Sequence, residues 1–506
     1  MIKIENVNIN LIVDDRLLIK DFNFVLNDND KVAVIGEEGN GKSTLLKYLY
    51  DPMLIDKFCE YQGKVSKDKI IGYLPQFMEE SELQCTIKEY FKGVNVKDYS
   101  LLLESLNIGS DLINENPTIG RLSGGEKIKI QLAKIISQKP DLLLLDEPTN
   151  DLDIKTLIWL ENFIKKTRMP IMYVSHDETL IENTANIIVH LEQLKKKNEP
   201  KITITYEGYR EYISKRSLLF ARQLMIANKQ RADYQRQNEK LQKIYNKVEY
   251  AQNTISRGNP SGAAALKRKI KNIKVQKNKM DKEKEEFVRI PEREMAIITQ
   301  FDQGITIPNG KVIIEWNIPE LCSPYKVLST DIKLVVKGKK HIGIIGDNGN
   351  GKSTLLRLIW STVQDRNDIN PYYMPQNYEE VLDYEISPVE FLIKENCKEE
   401  ITKVSTYMGN MKFTHKEMTN KIKNLSGGQK AKILFLDMVL KRCDVLLLDE
   451  PTRNFSPLSS PVIRDTLSLF EGTIISVSHD RKYLNEVCDE VYELSINGLT
   501  KVNYFV

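Results

Sequence analysis

Two short apolar runs, Lys31–Ile35 (KVAVI) and 340–345 (KHIGII), each lead directly into a glycine-rich loop and then into a segment with helical spacing. Such runs read as buried strands, and the following helices are expected to begin near Gly41 and Gly351. Two further apolar runs, Leu142–Asp146 and Val445–Asp449, read as strands that end in adjacent carboxylates. The pattern changes over 209–287. There Leu241, Ile244, Tyr245, Val248 and Ile255 fall at helical spacing, as do Leu266, Ile270, Ile273 and Met280, while Gly258, Pro260 and Gly262 interrupt between them. This predicts an antiparallel helical hairpin. A first arm over 212–256 would project on the order of 65 Å at 1.5 Å per residue. No run approaches the ~18 consecutive apolar residues that a membrane span needs, and the start MIKIE lacks a signal peptide's pattern. A cytoplasmic location is expected.

The chain repeats itself. Residues 36–46 (GEEGNGKSTLL) return at 346–356 (GDNGNGKSTLL), an offset of 310. YLPQ at 73–76 returns as YMPQ at 373–376, and LSGGE at 122–126 as LSGGQ at 425–429. LLLLDEP and SHD at 175–177 return as VLLLDEP and SHD at 478–480, these and the LSGG motif all at an offset of 303. Two copies of one domain are present.

Length and charge sharpen this division. The 506 residues, 41% hydrophobic, allow three or four modules and exclude a disordered chain or a mini-protein. Residues 209–287 carry 20 Lys and Arg against 8 Asp and Glu, a net of +12, whereas the whole chain is only +3 and the remainder therefore about −9. The six cysteines are scattered without a CxxC pair, so neither zinc nor a disulfide framework is indicated. The expected organisation is domain one at 1–207, a basic helical hairpin linker at 208–290 with its tip near 256–266, and domain two at 291–506.

A strand, glycine loop and helix in succession make a phosphate cradle. Backbone N–H groups converge at the helix N-terminus, Lys42 or Lys352 supplies a point charge, and the Ser43 or Ser353 hydroxyl can join a Mg²⁺ shell. Candidate loop residues are Gly36, Glu37, Glu38, Gly39, Asn40, Gly41, Lys42, Ser43 and Thr44, and Gly346, Asp347, Asn348, Gly349, Asn350, Gly351, Lys352, Ser353 and Thr354. Asp146 and Asp449 suit the Mg²⁺ shell, and Glu147 and Glu450 can accept a proton from, or orient, an attacking water. LSGG[EQ] offers a second anion-binding geometry through Ser123, Gly124, Gly125 and Glu126, and through Ser426, Gly427, Gly428 and Gln429. It lies 81 and 74 residues beyond the loop lysines, so it can complete another domain's site.

The ordered set of glycine loop, Gln, LSGG[EQ], LLLLDEP and SHD resembles the ATPase domain of the ATP-binding cassette superfamily over about 85% of the chain. The resemblance implies an α/β fold of two tandem P-loop nucleotide-binding domains joined by the α-helical hairpin, binding ATP and Mg²⁺. It implies two ATPs held head to tail. Site one would join Lys42, Gln76, Asp146, Glu147 and His176 with Ser426, Gly427 and Gly428. Site two would join Lys352, Gln376, Asp449, Glu450 and His479 with Ser123, Gly124 and Gly125. In the family Gln76 and Gln376 would sense metal and attacking water, and His176 and His479 would contact the γ-phosphate.

Two fused ATPase domains around a basic hairpin resemble the ABC-F class of translation factors. That class implies a hairpin entering the ribosomal exit site for tRNA, with the large subunit, 23S rRNA and the P-site tRNA as partners, and a monomer closing on itself. Arg257, Lys267, Arg268, Lys269, Lys271 and Lys274 are the candidate RNA contacts. The segment PTRNFSPLS at 451–459 resembles ABC-F antibiotic-resistance proteins of the Vga, Lsa and Msr group, which implies protection against lincosamides, streptogramin A and pleuromutilins. A housekeeping ABC-F factor is the alternative, weakened by loop-to-Gln intervals of only 34 and 24 residues that leave room for an arm of about ten at most. A transport or DNA-repair ATPase would need parts not encoded here. Glu38 stands where the second copy has Asn348, and the altered segment with Ser456 should face the same site, so site one is expected to turn over more slowly, with drift in a tolerant loop as the alternative. Tyr325 is a weak candidate for adenine stacking, and the base preference stays open between ATP and GTP.

Overall fold

A computed structural model describes residues 2–13, 15–66, 69–93, 106, 108, 115–194, 199–255, 260–291, 307–323, 326–393 and 397–503. Arg257 and Tyr325 lie outside the described residues. The chain divides into two units, Met1–Tyr209 with Glu294–Val506, and Arg210–Arg293.

In the first unit the chain builds an α/β architecture twice. The first copy contains β1 (Ile2–Leu11), β2 (Arg16–Leu26), β3 (Lys31–Ile35), β4 (Cys59–Val65), β5 (Ile71–Leu74), β6 (Leu142–Asp146), β7 (Ile171–Val174), β8 (Ile187–Gln193) and β9 (Glu199–Thr205). The second contains β10 (Val312–Ser323), β11 (Lys326–Lys337), β12 (His341–Ile345), β13 (Pro371–Met374), β14 (Val445–Asp449), β15 (Thr473–Val477), β16 (Glu490–Ser495) and β17 (Gly498–Val502). Two six-stranded sheets run β5-β6-β7-β3-β8-β9 and β13-β14-β15-β12-β16-β17, parallel except for the last strand of each. β3, β6, β12 and β14 are buried along their whole length, as central strands covered on both faces must be. Leu45, Leu46 and Leu49 of the helix Lys42–Tyr50 pack into the same core as Val32, Val34, Leu144 and Val174. Each such leucine contributes roughly 1.5–3 kcal/mol of burial. The helix start and the strand ends are thereby held together.

The copies differ at their edges. β4 joins β1 and β2 in an antiparallel sheet, whereas β10 and β11 pair alone. The longer loop-to-Gln interval of the first copy thus contains a sheet strand. Among the described residues, no helix is long and apolar enough to cross a membrane. All six cysteines are free.

The second unit is helical. One helix spans Tyr209–Thr254, 46 residues and so about 69 Å long, and another spans Pro260–Glu285. Gly262, expected to interrupt, lies inside the second helix, and Pro260 is its first residue, a position where the missing N–H costs nothing. Ile244 is 49% exposed, although its spacing placed it with the apolar stripe. The base is pinned by Tyr234, whose hydroxyl donates to Asp281 and whose ring meets Phe287 edge-on at 6.0 Å. Gln223 and Arg231 donate to the carbonyls of Arg289 and Val288. Lys267, Arg268, Lys269, Lys271 and Lys274 are all exposed.

Candidate functional site

Each glycine loop closes onto the start of a helix. Gly41 and Gly351 cap those helices at φ 90° and 89°, a left-handed conformation that residues with a Cβ adopt only under strain. The Lys42 ammonium donates to the Gly36 carbonyl at 2.9 Å and that of Glu37 at 3.2 Å, and Lys352 repeats this with Gly346 and Asp347 at 2.7 and 3.1 Å. Asn40 and Asn350 turn away from the loop mouth, donating to the carbonyls of Leu191 and Leu494. Their side chains brace the loop against the sheet.

The carboxylate pairs lie at the strand ends beside these loops. Ser43 donates to Asp146 at 2.8 Å and Tyr73 donates to the other oxygen at 3.2 Å. Burial pushes the Asp146 carboxyl up, and the Ser43 hydrogen bond only partly opposes it; Asp449, beside Ser353, behaves alike. Serine hydroxyl, carboxylate and glutamine carbonyl are hard oxygen donors, the set that suits Mg²⁺. No group of three His, Cys, Asp or Glu able to hold a metal exists among the described residues, so a cation here would need phosphate oxygens as well. Glu147 and Glu450 follow at φ 50° and 54°. A non-glycine residue there is strained, and the conformation recurs at both strand ends.

The signature helices begin with Ser123 and Ser426. Each serine hydroxyl accepts from the N–H three residues on, while Glu126 and Gln429 reach back to the serine N–H at 2.8 and 3.0 Å. Both motif-terminal side chains are therefore spent on capping boxes. What remains to face a ligand is the serine and the glycine backbone.

The first unit brings each loop against the opposite copy's signature segment. A cavity of about 680 Å³ is lined by Lys352, Ser353, Gln376, Asp449, Glu450 and His479 from the second copy, facing Gly124, Asp151 and His176 from the first. Beside the first loop a small crevice is lined by Glu37, Glu38, Ser426, Gly428, Asn454 and Ser456 among others, and Lys42, Ser43, Asp146, Glu147 and His176 do not line it. Gln76 is exposed and does not line it. Glu38 reaches across to the opposite copy: its carboxylate accepts the Gly428 N–H at 2.6 Å. Asn348, its counterpart, instead donates to the Asp151 carbonyl.

The Glu–His pairs differ in charge. His176 places Nδ1 2.8 Å from the Phe455 carbonyl and Nε2 3.0 Å from Glu147. A carbonyl only accepts, so Nδ1 carries a proton, and the carboxylate draws another onto Nε2. Burial works against both charges, yet the partners outweigh it, lowering Glu147 and raising His176. The second pair is looser, with His479 Nε2 3.8 Å from Glu450. Burial, reinforced by Asp449, pushes Glu450 up to about 8, and burial with Lys352 pushes His479 down to about 3. The surroundings thus favour charge on both partners of the first pair and oppose it on both partners of the second.

The family profile described as ABC transporter matches residues 19–150 and 329–453, which contain both glycine loops and both carboxylate pairs. The chain belongs to the ABC transporter family. Its family domains bind ATP, and it is an ATPase. Among curated relatives, the ribosome protection protein VmlR of Bacillus subtilis (strain 168) is 28% identical over 519 residues, 98% of this chain and 87% of that protein. ABC transporter F family member 2 of Arabidopsis thaliana is 25% identical, covering 97% of this chain and 76% of that protein. Among solved structures, the archaeal ribosome recycling factor aABCE1, in complex with the stalk protein aP1, aligns with a TM-score of 0.61 at 16% identity over 98% of this chain and 90% of its own. That likeness concerns the fold.

Proposed function

We propose that this ATPase is an ABC-F ribosome protection factor. ATP closes its two halves into a ribosome-binding form, the basic hairpin enters through the tRNA exit site of the large subunit, and peptidyl-transferase drugs of the lincosamide, streptogramin A and pleuromutilin classes are displaced. Hydrolysis releases the factor. The observation that carries this reading is the exposed row Lys267, Arg268, Lys269, Lys271 and Lys274 on a long helical hairpin within a fused pair of ATPase domains. Phosphate neutralisation and counterion release favour RNA for such a surface. The end-to-end similarity to a named ribosome protection protein supports it. A general translation factor of the same class is the second reading, favoured by similarity to ATP-binding proteins Uup at 26 and 27% identity, relatives not named for protection.

Within the sites, Lys42 and Lys352 would leave the loop carbonyls for the nucleotide phosphates, and the opposite signature serine and glycine N–H groups would grip the γ-phosphate. Mg²⁺ bound with the nucleotide would neutralise phosphate charge, held by Ser43, Asp146 and Gln76 or by Ser353, Asp449 and Gln376. Glu450, poised near neutrality, takes the proton of the attacking water at site two. At site one Glu147 is committed to His176 and Glu38 to Gly428, and turnover there is slower. A near-complete switch between open and closed forms needs about 5.5 kcal/mol of differential affinity, within reach of two nucleotides that each bridge both halves through charge-assisted hydrogen bonds.

The test is a chain carrying Glu147→Gln and Glu450→Gln. With ATP it should accumulate on ribosomes and cosediment far better than wild type; equal cosedimentation ends the coupling idea. A drug-sensitive host expressing the wild-type protein should tolerate lincosamides and pleuromutilins. Ribosome binding without any gain in tolerance would favour the general translation factor.

A further inference from the structure

We propose that the surface through which the two halves meet carries a charge code that admits only a half of the opposite sign. The repeat offset of 303 holds at Asp146/Asp449 and at His176/His479, so between and beside these pairs Glu161 corresponds to Arg464, and Glu178 to Arg481. At both positions the first half has an acid and the second an arginine. Glu161 and Glu178 lie on the helices Ile154–Lys166 and Glu178–Thr184, and their counterparts on Ser460–Ser468 and Arg481–Val487.

In the closed unit these four residues meet crosswise. Arg464 grips Glu178 with two nitrogens, at 2.7 and 3.4 Å, and Arg481 grips Glu161. Each contact is the other seen through the internal repeat: position 161 of one half meets position 178 of its opposite. All four residues are at most 7% exposed. Lys482 adds a third cation against Glu178 at 3.0 Å and against Glu182, whereas its counterpart Thr179 is uncharged. On the half-one side Asp177 lies 3.6 Å from Arg481 and Asn183 donates to Glu161, and on the half-two side Glu486 takes the remaining edge of Arg464 at 2.6 Å.

A symmetric pair presents the same patch from both sides. Two first halves would bury Glu161 against Glu178, and two second halves would bury Arg464 against Arg481. Buried like charges without a counter-ion are strongly unfavourable, and repulsion of the wrong partner is what creates specificity. The code therefore directs each half to its opposite, so that every closed molecule contains one site of each kind. Pairing of like halves from neighbouring chains would lose this asymmetry.

The test uses full-length chains without ribosomes, each half bearing one fluorophore, and reads Mg-ATP-driven closure by energy transfer. Glu161→Arg with Glu178→Arg places arginine on both faces and should raise the ATP concentration for half-closure about tenfold or more. The fourfold exchange that adds Arg464→Glu and Arg481→Glu restores opposite signs at the two crossing pairs, leaves Lys482, Glu486 and Asp177 beside like charges, and should recover at least about threefold of the lost ATP sensitivity. Closure of the double variant at wild-type ATP concentrations would overturn the code. So would a fourfold variant that melts like wild type yet stays open. If the fourfold variant does not fold, mixing the first double variant with an Arg464→Glu, Arg481→Glu chain decides: ATP-dependent heterodimers by light scattering support the code, and their absence with both variants folded refutes it.

Discussion

The two sites shared between the halves are assembled from the same ordered motifs, yet the side chains that meet across them differ. The difference traces to a few side chains. Glu38 places a carboxylate on the Gly428 N–H, where Asn348 in the other loop reaches the Asp151 carbonyl. The Phe455 carbonyl ties His176 into an ion pair with Glu147, while His479 and Glu450 stand 3.8 Å apart with the carboxyl pushed up to about 8. Motif identity thus says that a phosphate site exists. Its neighbours decide what crosses the site and how readily its acid ionises.

The sharpest way to break this comparison is to remove each acid in turn. Glu450→Gln should lower steady-state ATP turnover about 100-fold, the scale of general-base catalysis. Glu147→Gln should lower it less than about threefold, because the Glu147 carboxylate is already engaged by His176. Phosphate release measured on the two single variants checks this. Equal losses would mean that the difference between the Glu–His pairs has no catalytic weight.

Much of this was legible in the residues. KVAVI and VLLLD form the strands their apolar runs predict, because a fully apolar run of five bounded by a glycine loop has little alternative to a central parallel strand. The hairpin was legible from its period, its helix ends less so: Pro260 opens a helix as readily as it breaks one, and the neighbouring sequence did not say which. Glu38 stood out against its copy, but its grip on Gly428 joins residues 390 apart and depends on closure of the halves. Asn40, Asn350, Glu126 and Gln429 belong to the motifs by spelling, while their side chains brace loops and cap helices. Only the folded arrangement separates those jobs. The left-handed backbone at Glu147 and Glu450 has no sequence signature, since glutamate rarely adopts it.

An exchange of loop residues sharpens the comparison at intermediate scale. Glu38→Asn frees the Gly428 N–H from a charge-assisted hydrogen bond of about 1.5–3 kcal/mol, which a nucleotide phosphate must otherwise displace. Affinity for a fluorescent ATP analogue at the first site should rise about tenfold, followed in a Glu450→Gln background where nucleotide persists. Asn348→Glu should weaken the second site by a similar factor. If Glu38→Asn leaves affinity unchanged, the carboxylate is a bystander in the first cleft.

The smallest effect belongs to the rims. The acid after the first glycine of each loop meets a lysine from the opposite half, Asp347 with Lys155 at 2.8 Å and Glu37 with Lys412 at 3.5 Å. The lysines occupy unrelated positions in the repeat, so the same grip is built twice by different means. The Lys155 and Asp347 side chains are 71% and 49% exposed, which places their pair among those worth at most about 1 kcal/mol at low salt. The Lys412 pair is better covered but longer. Lys155→Ala and Lys412→Ala should each change ATP affinity less than about fivefold, and the change should vanish as salt is raised and exposed charges are screened. A salt-resistant loss of tenfold or more in Lys412→Ala alone would show that the closed first cleft is held from its rim, and would shift the origin of the asymmetry from Glu38 to its neighbour Glu37.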